Sequence, residues 1–210
     1  MAEIIPFSPQ KKEQILLKAT QALKKGQIVA IPTETYYGLA TNPFAPEALQ
    51  RLFQLKGRPL KKPVPILIAR QEQLWLLARE ISPLHRIFME RFWPGPLTLI
   101  FFARPDLPSL VTGGTGKVAV RLTSHPLAQE LAALFGPITG TSANLSGNPP
   151  AIEAKEILDS LPEVDLILDA GPCPGGAPST ILDLTVDPPE VLRPGKITQE
   201  EIQALFRQLK

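Results

Sequence analysis

Apolar residues recur along this chain in two alternating patterns, and the switches between them fall at glycines and prolines. Residues 10 to 25 carry Ile15, Ala19, Ala22 and Leu23 at the spacing of a half-buried helix, with Gly26 placed to end it in a left-handed turn. "QIVAIPT" follows as an apolar run of strand length. The succession repeats: "PEALQRLFQLKG" predicts a helix, "PVPILIA" a strand, "QEQLWLLARE" and "PLHRIFMERF" helices, "LTLIFFA" and "KVAVRLT" strands, and "HPLAQELAALFG" another helix. A helix near 151–160 and strands at "VDLILDA", "STILDL" and "EVLRP" come next. A last helix opens at Thr198, with Glu201 three positions on as a capping-box signature. This order predicts an α/β fold with a mixed sheet. No repeat or linker composition divides the chain, so a single domain over 1–210 is expected. The polar, glycine-rich segments all fall at strand ends, where α/β folds build their sites.

Composition narrows the class. An apolar fraction of 44% gives enough material for a core, and 24 prolines, about twice the ordinary share, imply many short elements and rigid loops. The net charge of +2 comes from mixed signs along the whole length and neither calls for nor excludes a polyanionic partner. Cys173 is the only cysteine and His85 and His125 the only histidines, which forbids an internal disulfide and leaves no zinc spacing. The start "MAEIIPFSPQ" lacks a signal peptide's basic end and apolar core, and no apolar run approaches bilayer length. A soluble, cytoplasmic protein is expected.

Several segments carry candidate chemistry. "PTETYYGLA" (32–40) follows a strand with two threonines, an acid and two tyrosines; taken alone, such a segment is more often a turn with capping hydroxyls than a site. "KGRPLKKP" (56–63) gathers Lys56, Arg58, Lys61 and Lys62, either a solvated basic turn or an anion site in which Pro59 stiffens the backbone beside a bidentate guanidinium. "VTGGTGKVAV" imitates a phosphate loop, but Val111 and Val118 stand where that pattern needs a glycine and a hydroxyl, and a strand follows instead of a helix; a glycine turn is the better reading. Arg121 alternates with Val118 and Val120, which aims it into the protein, where it needs an anionic partner. His125 stands before Pro126 at a helix start and fits capping or packing better than catalysis. "GPITGTSANLSGNPP" (136–150) offers backbone NH groups and hydroxyls suited to phosphate oxygens or a base edge, and "GGAPSTILDL" repeats that chemistry before Arg193 in "LRPG". Basic anchors and hydroxyl loops, with no nucleophile and base and no metal-ligand cluster, describe a nucleotide pocket, with Mg²⁺ arriving on the phosphates.

As an ordered set, "PTETYYGL", "KGRP", "WPGPLTLI", "VAVRLTSHPLA", "TSANLSG", "PSTILDL" and "LRPG" resemble the YrdC-like proteins, the threonylcarbamoyl-adenylate synthases, from about residue 10 to the C-terminus. The resemblance implies a twisted mixed sheet flanked by helices, with an open concave nucleotide-binding face. It further implies condensation of L-threonine, bicarbonate and ATP to threonylcarbamoyl-AMP and pyrophosphate. That product serves a tRNA threonylcarbamoyl transferase complex, which modifies an adenosine next to the anticodon. Carried over by position, Thr35, Arg121, Thr141 and Ser179 would hold threonine, with Arg121 on its carboxylate. Lys56, Arg58, Lys62, Lys117, Ser142, Asn144 and Arg193 would bind ATP, and Lys56, Arg58, Ser142 and Asn144 would carry catalysis. No metal site is implied beyond the Mg²⁺ of ATP.

The chain departs from the pattern of some longer relatives in two ways. Leu67 and Lys62 stand where those have a histidine contact to threonine and an asparagine, and those relatives append a second domain beyond "LRPGKI". Threonine affinity would then rest more heavily on Arg121. The rival reading is a tRNA or double-stranded RNA binding module without turnover; a regulatory nucleotide binder is a third. Against RNA stand the small net charge and the lack of aromatics among the basic residues, so weak or transient RNA contact at most is expected.

Overall fold

The computed structural model describes residues 2–209. In chain order its first half comprises β1 (Glu3–Pro6), α1 (Lys12–Lys24), β2 (Val29–Ile31), β3 (Gly38–Ala40), α2 (Pro46–Lys56), β4 (Ile66–Ile68) and α3 (Pro83–Phe92). There follow β5 (Leu97–Phe102), α4 (Ser109–Thr112), β6 (Lys117–Leu122), α5 (Pro126–Phe135), β7 (Ile138–Thr139) and β8 (Thr141–Ser142). The last elements are α6 (Ala154–Ser160), β9 (Leu166–Asp169), β10 (Thr180–Asp183), β11 (Glu190–Arg193) and α7 (Gln199–Gln208). Local chemistry sets the helix ends. Proline opens α2, α3 and α5, where its missing NH costs nothing. Gly26 and Gly57 take left-handed φ of 71° and 56° just past α1 and α2. The expected Thr198–Glu201 capping box closes the first turn of α7.

The expected α/β architecture is present, with its strands divided between two mixed sheets. One runs β1-β9-β2-β3-β8 and the other β11-β10-β5-β6-β4-β7. The chain crosses between them inside the polar stretch 136–150. β7 pairs with β4 in the second sheet, and one residue later β8 pairs with β3 in the first. That residue is Gly140, whose NH donates to Pro65 O at 2.8 Å. A Cβ there would meet Leu67 Cδ2 at 2.8 Å, so only glycine lets the sheets approach this closely.

The second sheet alternates with period two. Val118, Val120 and Leu122 of β6, with Leu97, Leu99 and Phe101 of β5, enter a core completed by Phe88, Met89, Leu182 and Ile202. The intervening Thr98, Ile100, Ala119 and Arg121 face the other way and line a cavity. Helices α1 and α5 pack over the other sheet with Ile15, Leu23, Leu131 and Leu168, in a core that Leu67 joins. A third core places Phe53 of α2 and Ile157 of α6 against Ala30, Leu39 and Ile167.

One predicted helix takes another form. "QEQLWLLARE" makes only a 3-10 turn over Gln71–Leu76, after which Ala78 bridges to Ala103 beside β5. Gln73 explains the arrest: its side chain accepts from Ala69 N at 2.7 Å and donates to Ala132 O at 2.8 Å, anchoring the turn before it can lengthen.

Candidate functional site

A cavity of about 440 Å³ opens where the two sheets meet, within the range of small-molecule sites. Its floor is the polar and small face of the second sheet. Its rim is built from Thr33 and Thr35–Gly38, the Arg58–Pro65 turn, Gly140–Ser142 and Pro178–Ser179. Eight of the predicted site residues line it: Thr35, Arg58, Lys62, Arg121, Thr141, Ser142, Ser179 and Arg193. Lys56, Asn144 and Lys117 do not.

At one end Arg121 is 4% exposed. Its Nη1 lies 3.1 Å from Glu34 Oε1 and donates to Thr35 Oγ1 at 3.4 Å. Burial depresses the guanidinium's affinity for its proton and Glu34 restores part of it. Glu34 Oε2 accepts from Thr123 Oγ1 at 2.6 Å, while Oε1 stays buried without a well-aligned donor despite its nearness to Arg121. Thr33 Oγ1 ties the turn together, bonded to Tyr36 O at 2.7 Å and to Thr35 Oγ1 at 3.1 Å. Glu34 is the residue that sequence reasoning passed over. The buried arginine's need for an anion pointed to such a partner, but nothing in the local pattern identified which acid supplies it.

The other end is more positive. Arg58 stacks over Phe53 at 5.9 Å; Nε donates to Lys62 O at 3.2 Å, Nη2 to Pro63 O, and Nη1 to Thr141 Oγ1 at 3.4 Å. Arg193 clamps the backbone before β10, with Nε and Nη2 donating to Ser179 O at 3.1 and 2.7 Å and Nη2 to Ser179 Oγ at 2.9 Å. Thr98 Oγ1 meets the same Ser179 hydroxyl at 2.9 Å. Desolvation, then Arg193, pushes Arg58 down to about 10, and desolvation, then Arg121, lowers Arg193. The three guanidiniums therefore form a mutually repelling row, which a bound anion would relieve.

Lys56 is 2% exposed beneath this row, not in it. Its ammonium donates to Ser142 O, to Asn144 O at 2.7 Å and to Asn144 Oδ1 at 3.1 Å. All three of its protons are thereby engaged, and among the described residues no carboxylate pairs with it. Desolvation first, then Arg58 and Lys62, pull its pKa to about 7. Asn144 is drawn inward by the same contacts and accepts from Ser142 Oγ at 2.7 Å. Lys56 and Asn144, both expected on ATP, thus lie behind the cavity lining, joined to each other and to the backbone of the loop that carries Thr141 and Ser142. Lys117, also expected on ATP, is paired with Asp183 Oδ2 at 2.9 Å and lies outside the cavity lining. Leu67 is 1% exposed under Gly140, so the side chain at the relatives' histidine position is core here. Among the described residues no three potential ligands cluster to hold a metal.

Residues 21–195 match the model of the Sua5/YciO/YrdC family, described as telomere recombination. Threonylcarbamoyl-AMP synthase of Pyrococcus abyssi is 39% identical over 212 residues, covering 100% of this chain and 62% of that protein. The protein of the same name from Vibrio parahaemolyticus is 36% identical over 187 residues, covering 87% of this chain and 98% of that protein. The structure of P. abyssi Sua5 complexed with L-threonine superposes with a TM-score of 0.91 at 38% identity, covering 98% of this chain and 60% of that one. Escherichia coli YciO superposes with a TM-score of 0.82 at 25% identity, covering 93% and 97%. The chain thus spans about 60% of the P. abyssi relative and nearly all of the shorter ones. With that match running across both sheets and around the whole cavity, the chain belongs to the Sua5/YciO/YrdC family.

Proposed function

We propose that this chain is an L-threonylcarbamoyladenylate synthase, a nucleotidyltransferase that condenses L-threonine, bicarbonate and MgATP to threonylcarbamoyl-AMP and pyrophosphate. The observation that carries the proposal is the cavity's two unlike ends. One presents Arg121 with the Thr35 hydroxyl, suited to an amino-acid carboxylate. The other presents Arg58, Lys62 and Arg193 with Ser142, suited to a polyphosphate, and Thr141, expected on the threonine, is tied to Arg58 at that end. The relatives' name, and the complex of P. abyssi Sua5 with L-threonine, support a site that takes threonine and forms an adenylate.

In this reading Arg121 orients the threonine carboxylate so that the ammonium, on losing its proton to water, leaves a free amine facing bicarbonate in the middle of the cavity. The amine attacks the bicarbonate carbon, and loss of water leaves the carbamate. A carbamate oxygen then attacks the α-phosphorus in line, and the bond to pyrophosphate breaks. Arg58, Arg193 and Lys62 stabilise charge on the phosphorus oxygens and the departing pyrophosphate, so that no protein nucleophile is needed. Mg²⁺ belongs to the substrate. Lys56 and Asn144 act by holding the Thr141–Ser142 strand in place. The product goes to a tRNA threonylcarbamoyl transferase complex in the cytoplasm.

The test is incubation with isotopically labelled bicarbonate, L-threonine and MgATP, followed by chromatographic separation. Label in a new adenylate that also contains threonine is the expected result. Label that never leaves bicarbonate while ATP and threonine both bind would overturn the reading in favour of a binding module.

A further inference from the structure

Three arginines in one cavity raise a question that the proposed reaction leaves open: what keeps phosphate groups from the Arg121 end? Arg121 lies close enough to Arg193 to lower its pKa, and Arg193 does the same to Arg58, so simple anions should find the row attractive along its length. The ends differ in one group. Arg121 has a carboxylate at 3.1 Å, Glu34, whereas among the described residues no acidic side chain bonds to Arg58 or Arg193. Glu34 is itself largely buried, with 13% of its side chain exposed, and so is little screened. It is held from three sides: Thr123 Oγ1 donates to Oε2, Arg121 flanks Oε1, and Lys196 Nζ donates to the Glu34 backbone O at 2.9 Å. His125, kept towards the neutral form by burial, and Cys173, whose thiol burial and then Glu34 push up, are further titratable neighbours.

We propose that Glu34 is a specificity-determining residue that balances the charge of Arg121, so that this end of the cavity accepts a zwitterionic amino acid and rejects simple anions, leaving polyphosphate to the Arg58 and Arg193 end. A carboxylate docking on the remaining NH groups of Arg121 comes within several ångströms of the Glu34 carboxylate, and in a buried site that repulsion is felt. An amino acid carries an ammonium that offsets it; a phosphate or a plain carboxylic acid does not. Glu34 does not line the cavity and acts through Arg121. This inference rests on the assignment of threonine to the Arg121 end.

The experiment compares, by titration calorimetry, L-threonine with 3-hydroxybutyrate, the same skeleton without the amine, on the wild type, Glu34→Gln and Thr123→Val. The wild type should prefer threonine, and Glu34→Gln should shrink that preference at least tenfold, chiefly by binding 3-hydroxybutyrate better. Thr123→Val removes a hydrogen bond and keeps the charge, so it should retain the preference. An unchanged preference in Glu34→Gln, or its equal loss in Thr123→Val, overturns the proposal. Should Glu34→Gln not fold, the wild type alone decides: inorganic phosphate must compete with ATP and leave threonine binding intact, and phosphate displacing threonine overturns it. If the wild type binds ATP but not threonine, the underlying substrate assignment has failed and the inference with it.

Discussion

Arg58, Arg121 and Arg193 share a cavity, and their partners separate their roles. Arg58 and Arg193 bond to carbonyls and hydroxyls, whereas Arg121 is paired with an acid. Arg58→Ala and Arg193→Ala should each weaken ATP binding about tenfold or more, since a charge-assisted hydrogen bond is worth roughly 1.5–3 kcal/mol, and should leave threonine binding nearly intact. Arg121→Ala should abolish threonine binding and retain ATP. It also strands Glu34 in the interior, so its melting point should fall, in line with the roughly 3–5 kcal/mol lost on breaking a buried pair. Calorimetry with each ligand, beside thermal unfolding, checks this, and Arg121→Ala that lost ATP and kept threonine would reverse the two ends. The inward aim of Arg121 was legible from its alternation with Val118 and Val120. Glu34 was not, because its link to β6 joins residues 89 positions apart, from Thr123 back to the 33–36 turn. The buried setting of Lys56 was hidden for a similar reason, since its acceptors lie 86 and 88 positions away. Its burial has a measurable consequence. The folded pKa of about 7 lies below the ordinary 10.5, so between those values the unfolded chain holds a proton that the folded one has released. Stability from this group therefore rises with pH across that window, by up to about 1.4 kcal/mol per unit, and its cost is fully present below the window. Lys56→Met should lack that rise. Denaturant unfolding of both proteins at pH 7, 8 and 9 gives the difference, and parallel pH dependences would show that Lys56 titrates normally.

Elements place these residues, and two glycines make the placement possible. Gly57 ends α2 in a left-handed turn, with Arg58 N donating to Phe53 O at 2.9 Å, so that Lys56 points beneath the loop and Arg58 reaches the cavity. Gly140 lets the chain leave one sheet for the other over Leu67. Gly140→Ala should cost about 1–3 kcal/mol through overpacking against Leu67 Cδ1 and Cδ2, at 2.9 and 2.8 Å. Leu67→Ala should cost about 2–5 kcal/mol alone, and the double variant should be clearly more stable than the sum of the two predicts. Additive losses in denaturant unfolding would show that Leu67 does not set the constraint. The helices were legible because proline, glycine and capping residues mark their ends. "QEQLWLLARE" misled because the Gln73 side chain holds Ala69 and Ala132, an anchoring that apolar spacing does not encode. β3, β7 and β8 have two or three residues each, too few to show a period, and β1 is a short edge strand paired with β9. The division into two sheets was invisible for the same reason that Glu34 was: strand pairing is decided between distant segments.

At the scale of the molecule, the site is the seam between the sheets, which is why its residues come from almost the whole length of the chain. Charge follows the same logic. Of the four clustered basic residues in 56–62, Lys56 is engaged inside and Arg58 and Lys62 line the cavity, which leaves few for a polyanion outside it. Binding of tRNA should be weak, should fall about ten- to hundredfold between 50 and 200 mM salt, as two to four phosphate contacts imply, and should be reduced by ATP. Tight tRNA-selective binding at physiological salt that ignored ATP would favour an RNA-binding module. The central claim, that the two ends of one cavity hold an amino acid and MgATP for a single condensation, is tested most directly by pyrophosphate release with each component left out in turn. The account predicts release only when L-threonine, bicarbonate and MgATP are all present, and release that continued without threonine or without bicarbonate would contradict it.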